Sequence, residues 1–264
     1  MTADKPVTVP AFRAARETGR KLAVVTAYDF TAARIADEAG VDCILVGDSL
    51  GMVVQGHSTS LPVTLAEMLY HTRCVVRGVK RCLIVADLPF LSYQVSPAQA
   101  VRSAGKLLKA GAHAVKLEGG VRMAPQLEAL QRADIPVMGH IGLTPQSVHR
   151  MGGFKVQRDA EELLADARAV EAAGAFSMVV EGVPTELGTA ITNAVTVPTI
   201  GIGAGPHCDG QVLVWHDLLG LFDAFRPKFV KRYAELGAAA REAIQEYCDE
   251  VRSGAFPGAE HGFK

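Results

Sequence analysis

Cys43-Ile44-Leu45-Val46-Gly47-Asp48-Ser49-Leu50-Gly51-Met52 is the stretch from which the fold can be read. Its first four residues are apolar and include two β-branched members, the pattern of a strand buried on both faces. The run stops at a polar, glycine-bounded turn that carries one carboxylate and one hydroxyl. In barrels and doubly wound sheets, groups at the carboxyl ends of parallel strands face the place where ligands bind. The same form recurs in Cys82-Leu83-Ile84-Val85-Ala86-Asp87-Leu88-Pro89, in Ala114-Val115-Lys116-Leu117-Glu118-Gly119-Gly120, and in Ser177-Met178-Val179-Val180-Glu181-Gly182-Val183-Pro184. Four apolar runs, each ending in an acid, imply a shared acidic site.

Outward from this stretch, strand-like and helix-like segments alternate. Strands are read at 21–28, 43–46, 82–87, 114–118, 135–142, 175–181, 197–205 and 212–217. Between them lie helices at 32–39, capped by Asp29 and closed at Gly40, and after Thr64, whose partner in a capping box is Glu67. Further helices start at Ser96-Pro97, span 123–133 and 160–173, and follow Pro184 as a short element. Long polar loops are read at 55–62 and 144–158. Eight strand-then-helix units favour a single (β/α)8 TIM barrel spanning 1–264 as one domain. An amphipathic lead-in helix over 9–18 precedes it, and a C-terminal helical extension over 228–252 ends in a surface tail.

Composition narrows the function. The chain has 264 residues, with 27 basic against 28 acidic side chains and a formal charge of −1. No basic block is present, so nucleic acid is not an expected partner. No apolar stretch reaches membrane-spanning length, and residues 1–20 lack the apolar core of a signal peptide. The five cysteines are odd in number and form no Cys-x-x-Cys pair, which suits reduced thiols in the cytoplasm.

Asp48 and Asp87 both follow apolar runs and should meet at the barrel mouth. Crowded carboxylates repel, so one protonates unless a cation neutralises them. Mg²⁺ does this with one or two carboxylates and keeps water positions for a substrate. Glu118 is a third candidate, directly or through water. Each acid taken alone also fits a helix cap or an acceptor of backbone donors. Lys116 lies two residues before Glu118, so the two share one face of a strand, and an inward lysine needs anionic company. His140 ends its strand at the same mouth; alone it fits a structural histidine equally well. His57, His149, His207 and His216 show no i, i+4 metal spacing, which disfavours zinc. Asp217 either joins the rim or caps a turn. Gly201-Ile202-Gly203-Ala204-Gly205 ends a late strand and meets Pro206 instead of a helix, so a dinucleotide fingerprint is rejected. Its glycines are read as giving backbone room to a ligand.

These stretches resemble the ketopantoate hydroxymethyltransferase family. The likeness is carried by Val46-Gly47-Asp48-Ser49-Leu50-Gly51-Met52, Ala86-Asp87-Leu88-Pro89-Phe90, Val115-Lys116-Leu117-Glu118-Gly119-Gly120, Gly139-His140-Ile141-Gly142-Leu143-Thr144-Pro145-Gln146 and Gly201-Ile202-Gly203-Ala204-Gly205. It runs from about residue 23 to residue 256. The resemblance implies a (β/α)8 barrel that assembles as a cytoplasmic homodecamer, a pentamer of dimers, and uses Mg²⁺. It implies transfer of a hydroxymethyl group from 5,10-methylenetetrahydrofolate to 3-methyl-2-oxobutanoate, in pantothenate biosynthesis. By the same resemblance, Asp48 and Asp87 would hold Mg²⁺ with Glu118 close by. Ser49 would bind the substrate carboxylate together with the Asp48 backbone, Lys116 would offset negative charge, and His140 would orient the substrate. Glu181 would be the general base.

Two departures stand out. The loop His57-Ser58-Thr59-Ser60-Leu61-Pro62 lacks the acid the family usually carries there, and Gly182 replaces a commoner cysteine. The layout also resembles carbon–carbon lyases of the phosphoenolpyruvate mutase and isocitrate lyase type. Those normally carry a reactive Cys-Gly-His loop, which this chain does not contain. A catalytically dead scaffold would have lost its acids, and all are present.

Overall fold

The computed structural model describes residues 5–223 and 225–263. Residues 1–4 of the stretch read for a signal peptide lie outside that set. The chain divides into two compact units, Met1–Val214 and Trp215–Lys264.

In the first unit, parallel strands close on themselves in sequence order: β1 (Leu22–Thr26), β2 (Cys43–Val46), β3 (Leu83–Asp87), β4 (Ala114–Lys116), β5 (Val137–Gly142), β6 (Ser177–Glu181), β7 (Thr199–Ile202) and β8 (Gly210–Leu213). β8 returns to β1 with Leu22 opposite Gly210 and Val25 opposite Leu213. The expected (β/α)8 barrel is present, and closure leaves no unpaired sheet edge.

Strand phase sets what the barrel interior contains. Side chains alternate between the two faces of a strand. The packed interior takes Val24, Cys43, Leu45, Leu83, Val85, Ala114, Met138, Val179, Ile200 and Val212. Two residues further along four of these strands come Asp87, Lys116, His140 and Glu181. The apolar layer is therefore capped by a polar one on the same face. At the opposite end, α1 (Val9–Ala14) contributes Phe12 and is flanked by Val7 and Ala15, all in the same core. The Phe12 ring meets Phe176 edge-on at 5.9 Å. The lead-in helix is thus the plug of the barrel's lower end.

The helices form where caps and apolar stripes agree. Asp29 accepts from Ala32 N at the start of α2 (Phe30–Glu38). After α3 (Leu50–Val53), Thr64 and Glu67 close a reciprocal capping box on α4 (Leu65–Gly78). Ser96 caps α5 (Pro97–Lys109), whose buried Ala100, Ser103, Ala104 and Leu107 follow helical spacing. Leu107 is fully buried, so truncating it to alanine would cost about 2–5 kcal/mol. The ring continues with α6 (Ala124–Arg132), α7 (Val148–Met151), α8 (Ala160–Ala172) and α9 (Thr185–Ala194).

Several expectations shift. The lead-in helix ends at Ala14, and 15–19 form turns. Residues 50–53, read as part of a flexible turn, are the helix α3. The loop read at 144–158 contains the 3₁₀ turn Pro145–Ser147 and α7. The last strand was expected over 212–217. It begins at Gly210, which pairs with both Leu22 and Ile200, and the chain turns into α10 (Trp215–Leu218).

The second unit consists of α10, α11 (Leu236–Ser253) and the 3₁₀ turn Ala259–His261. Residues 228–235, expected to be helical, instead bond back to the end of α10: Tyr233 N donates to Leu218 O at 2.9 Å. α11 ends on Gly254 in the left-handed region. Asp217 lies in the first turn of α10.

Candidate active site

Strand phase alone puts Asp87, Lys116, Glu118, His140 and Glu181 over the apolar interior, and the structure joins them by direct contacts. Lys116 Nζ lies 3.0 Å from Asp87 Oδ1, with both side chains buried. The contact lies off hydrogen-bond geometry, so Asp87 Oδ1 has an ion-pair partner but no hydrogen bond. His140 spans two acids: Nδ1 lies 3.5 Å from Glu118 Oε1 and Nε2 lies 3.1 Å from Glu181 Oε2. Lys116 Nζ also approaches His140 Nδ1 at 3.3 Å.

Asp48 arrives by a different route. In β2 the inward positions are Cys43 and Leu45, which makes Gly47 the next inward residue. A side chain at Gly47 would sit 2.7 Å from Ser49 Oγ and 3.6 Å from Asp87 Oδ2. The missing Cβ leaves that space to Ser49 and Asp87, while the turn swings Asp48 into the cluster. Asp48 N donates to Asp87 Oδ2 at 3.1 Å. Ser49 stands at the start of α3, its hydroxyl 2.8 Å from the Tyr28 hydroxyl.

The electrostatics are those of too many acids in too little water. Burial, then the charges of Asp87 and Glu118, push Asp48 up to about 8, against the pull of Lys116 and Gln146. Burial raises Asp87 too, while Lys116 and the Asp48 amide pull it back. Glu118 goes the other way: hydrogen bonding and attraction from His140, with Lys116, overcome burial and hold it below the usual range. Burial works against the Lys116 charge, but Asp87, Glu118 and Asp48 together hold its ammonium well above the ordinary lysine value. Burial and Lys116 also push His140 down, yet its bonds to Glu118 and Glu181 prevail and bring it to about 9. At neutral pH the arrangement therefore keeps a proton on Asp48 and a positive charge on His140.

A divalent cation would relieve the crowding that places this proton on Asp48. Among the described residues, no group of three or more His, Cys, Asp and Glu side chains is gathered tightly enough to hold a metal. The arrangement nevertheless fits Mg²⁺, which needs only one or two carboxylates and fills its other positions with water and substrate. Asp48 and Asp87, the latter with its Oδ1 free of any hydrogen bond, are the carboxylates that suit such an ion. Both Glu118 oxygens are already engaged, Oε2 by the Gln146 amide at 2.9 Å and Oε1 by His140.

Two buried residues of the cluster carried no signal of their own in the sequence. Gln146 joins Asp48, Glu118 and the Leu88 carbonyl, and Tyr93 joins Gln146 and Glu118. Tyr93 sits in a loop and Gln146 in the short 3₁₀ turn, where no side-chain period marks an inward residue. The reading of Gly201 and Gly205 is corrected. A side chain at Gly201 would meet Cys208 Sγ and Gln211 Nε2, each at 3.0 Å, and one at Gly205 would meet Thr185 Cγ2 at 2.6 Å. At these two glycines the protein's own atoms fill the room that was assigned to a ligand.

A profile of the ketopantoate hydroxymethyltransferase family matches residues 6–259. A 3-methyl-2-oxobutanoate hydroxymethyltransferase of Moorella thermoacetica is 57% identical over 263 residues, covering 98% of each chain. Among solved structures, a phosphonopyruvate hydrolase in complex with oxalate and Mg²⁺ superposes with a TM-score of 0.65 at 16% identity, over 98% of this chain and 93% of the other. A 2,3-dimethylmalate lyase of the phosphoenolpyruvate mutase and isocitrate lyase superfamily gives a TM-score of 0.63 at 18% identity, over 98% and 89%. At such identities the last two likenesses speak for the fold alone.

Proposed function

The chain belongs to the ketopantoate hydroxymethyltransferase family, and from that premise we propose how the barrel mouth carries out the family's reaction. The chain is a hydroxymethyltransferase of pantothenate biosynthesis acting on 3-methyl-2-oxobutanoate. In our reading the one-carbon donor is 5,10-methylenetetrahydrofolate. The transferred CH₂ acquires its hydroxyl from water, and tetrahydrofolate leaves. The observation that carries the reading is the run of buried Asp48, Asp87, Lys116, Glu118 and His140 with the half-buried Glu181, drawn from five consecutive strand ends.

Asp48 and Asp87 would hold Mg²⁺, with Glu118 acting through water because its oxygens are taken. When bound, the ion supplies Lewis-acid polarisation of the keto oxygen, which acidifies the neighbouring C–H. Every remaining task falls to the chain. Glu181 takes the proton from the tertiary carbon beside the ketone. The charged His140 ring, its Nε2 3.1 Å from Glu181 Oε2, pairs with the base and holds it in line, so the other oxygen meets the substrate. The Lys116 ammonium offsets the substrate carboxylate and pulls the Asp87 carboxyl down against the effect of burial. Ser49, supported by the Tyr28 hydroxyl, donates to that carboxylate. The Asp48 amide, assigned to the same task by the family resemblance, already donates to Asp87, so Ser49 carries more of it in our reading. A cytoplasmic homodecamer belongs to this reading through the family resemblance. Among the described residues, no helix is long and apolar enough to cross a membrane.

The lyase alternative rests on fold likeness below 20% identity, and nothing in the site favours it. The test is deuterium exchange at the tertiary carbon of 3-methyl-2-oxobutanoate, with Mg²⁺ present and folate absent. Exchange that depends on the metal is expected. No exchange, even with tetrahydrofolate added, sinks the proposed mechanism.

A further inference from the structure

Gln146 is buried in the middle of the acidic cluster, and every polar atom of its side chain is used. Its backbone N–H donates to Glu118 Oε2 at 2.9 Å. Its side-chain Nε2 donates to Asp48 Oδ2 at 2.9 Å and to the Leu88 carbonyl at 3.0 Å. Its Oε1 accepts from the Tyr93 hydroxyl at 2.9 Å and from Gln94 Nε2 at 3.0 Å. Leu88 O is a main-chain carbonyl and can only accept, so the amide nitrogen must face it. That orientation aims the second N–H at Asp48. The buried Tyr93 hydroxyl accepts from Glu118 N at 3.1 Å and directs its single proton at Gln146 Oε1, 2.9 Å away, and at the Glu118 carbonyl, 3.0 Å away.

We infer that Gln146, locked by Tyr93, is a positioning residue that fixes Asp48 and Glu118 in the rotamers the proposed Mg²⁺ site needs. The inference rests on the Mg²⁺ reading given above. A neutral amide suits this task. It offers one N–H to Asp48 and the other to the Leu88 carbonyl without cancelling the negative charge that attracts the ion, whereas a lysine would compete with the ion and a glutamate would repel Asp48. Through Oδ2 it holds Asp48 from one side, and its bond leaves Oδ1 unused. Holding Glu118 Oε2 from the backbone ties that acid to the same residue. Hydrogen-bond partners of metal-holding groups set metal affinity nearly as much as the groups themselves.

The experiment titrates the full chain with Mn²⁺ as the probe, read by the loss of the free-ion resonance signal, for wild type, Gln146→Leu, Tyr93→Phe and the double variant. Deuterium exchange and a thermal melt accompany each. Gln146→Leu is expected to weaken Mn²⁺ binding about 10–100-fold. Tyr93→Phe should weaken it less, about 3–10-fold. The double variant should be no weaker than Gln146→Leu within about twofold, because Tyr93 acts through Gln146. A purely structural network would lower the melting temperature and leave Mn²⁺ affinity within twofold of wild type, and that result overturns the inference. Additive losses in the double variant overturn the assignment of Tyr93. If Gln146→Leu fails to fold, Tyr93→Phe decides alone, and unchanged affinity there rejects the pair. Wild-type chain that takes up Mn²⁺ but exchanges no deuterium refutes the proposed enolisation while leaving this inference standing. Wild-type chain that takes up no Mn²⁺ refutes the metal site and this inference together.

Discussion

Asp87, Lys116, Glu118, His140 and Glu181 reach the barrel mouth on the phase of their strands, whereas Asp48, Ser49, Tyr93 and Gln146 reach it by turns. The first group is aimed by backbone ladders whose registers run uninterrupted from β3 to β6, pairing Asp87 with Lys116 and Gly142 with Glu181. The second is aimed by side-chain hydrogen bonds and by a glycine that stays out of the way. Moving the first group means distorting a closed sheet. In the second, one lost hydroxyl or one added methyl is enough. Chemistry that must not drift belongs on the strands, and ligand-holding groups that are tuned by their neighbours belong on the turns.

The comparison can be broken from its strand side first. Glu181→Gln should cut deuterium exchange into 3-methyl-2-oxobutanoate by about 10²–10⁴-fold, followed by proton NMR in deuterated buffer with Mg²⁺. A rate within tenfold of wild type would remove Glu181 as the base. Lys116→Met should act on stability. It strands the buried Asp87 without its cation, a change that typically costs about 3–5 kcal/mol. Urea unfolding in the absence of metal reads it, and a loss under about 1 kcal/mol would mean that Asp87 simply takes up a proton.

The turn side should answer differently. In Gly47→Ala the new methyl meets Ser49 Oγ at 2.7 Å. Since that oxygen ends a movable side chain, the expected effect is on binding, with the keto acid KM rising by roughly tenfold or more and stability little changed. An unchanged KM would show that Ser49 is not bound to the substrate.

The smallest effect sharpens the electrostatics. Asp48 is raised to about 8 in the chain without metal, so a proton must leave before a cation can be held. Mg²⁺ affinity should therefore rise with pH and level off above about 8. Calorimetry at pH 7 in buffers of different ionisation enthalpy should report about one proton released per ion. The folded chain holds this proton between roughly pH 4 and 8 while the unfolded chain does not. By the same sign, the metal-free protein loses stability through Asp48 as pH rises across that window. Affinity that is flat in pH contradicts the raised carboxyl.

The barrel was legible in the sequence because its signals are local. Apolar runs ending in acids, the cap at Asp29, the capping box at Thr64 and Glu67, and the Ser96-Pro97 start all form where their spacing predicts. The period of two also told that Lys116 and Glu118 face one way. The signals failed where backbone partners lie far along the chain. The segment after Pro227 carries helical composition, yet its backbone bonds to residues near 218, and β8 starts at a glycine chosen by its neighbours β1 and β7.

What the amino-acid order determined by itself was the list of strand-end acids, the barrel they sit on and the family they resemble. Only the tertiary structure decided that Gln146 and Tyr93 belong among them, that burial and crowding raise the Asp48 carboxyl, and that Gly201 and Gly205 pack against protein. The reason is physical: strand phase is a property of neighbouring residues, whereas desolvation, charge crowding and loop-borne hydrogen bonds exist only once distant segments have closed on one another.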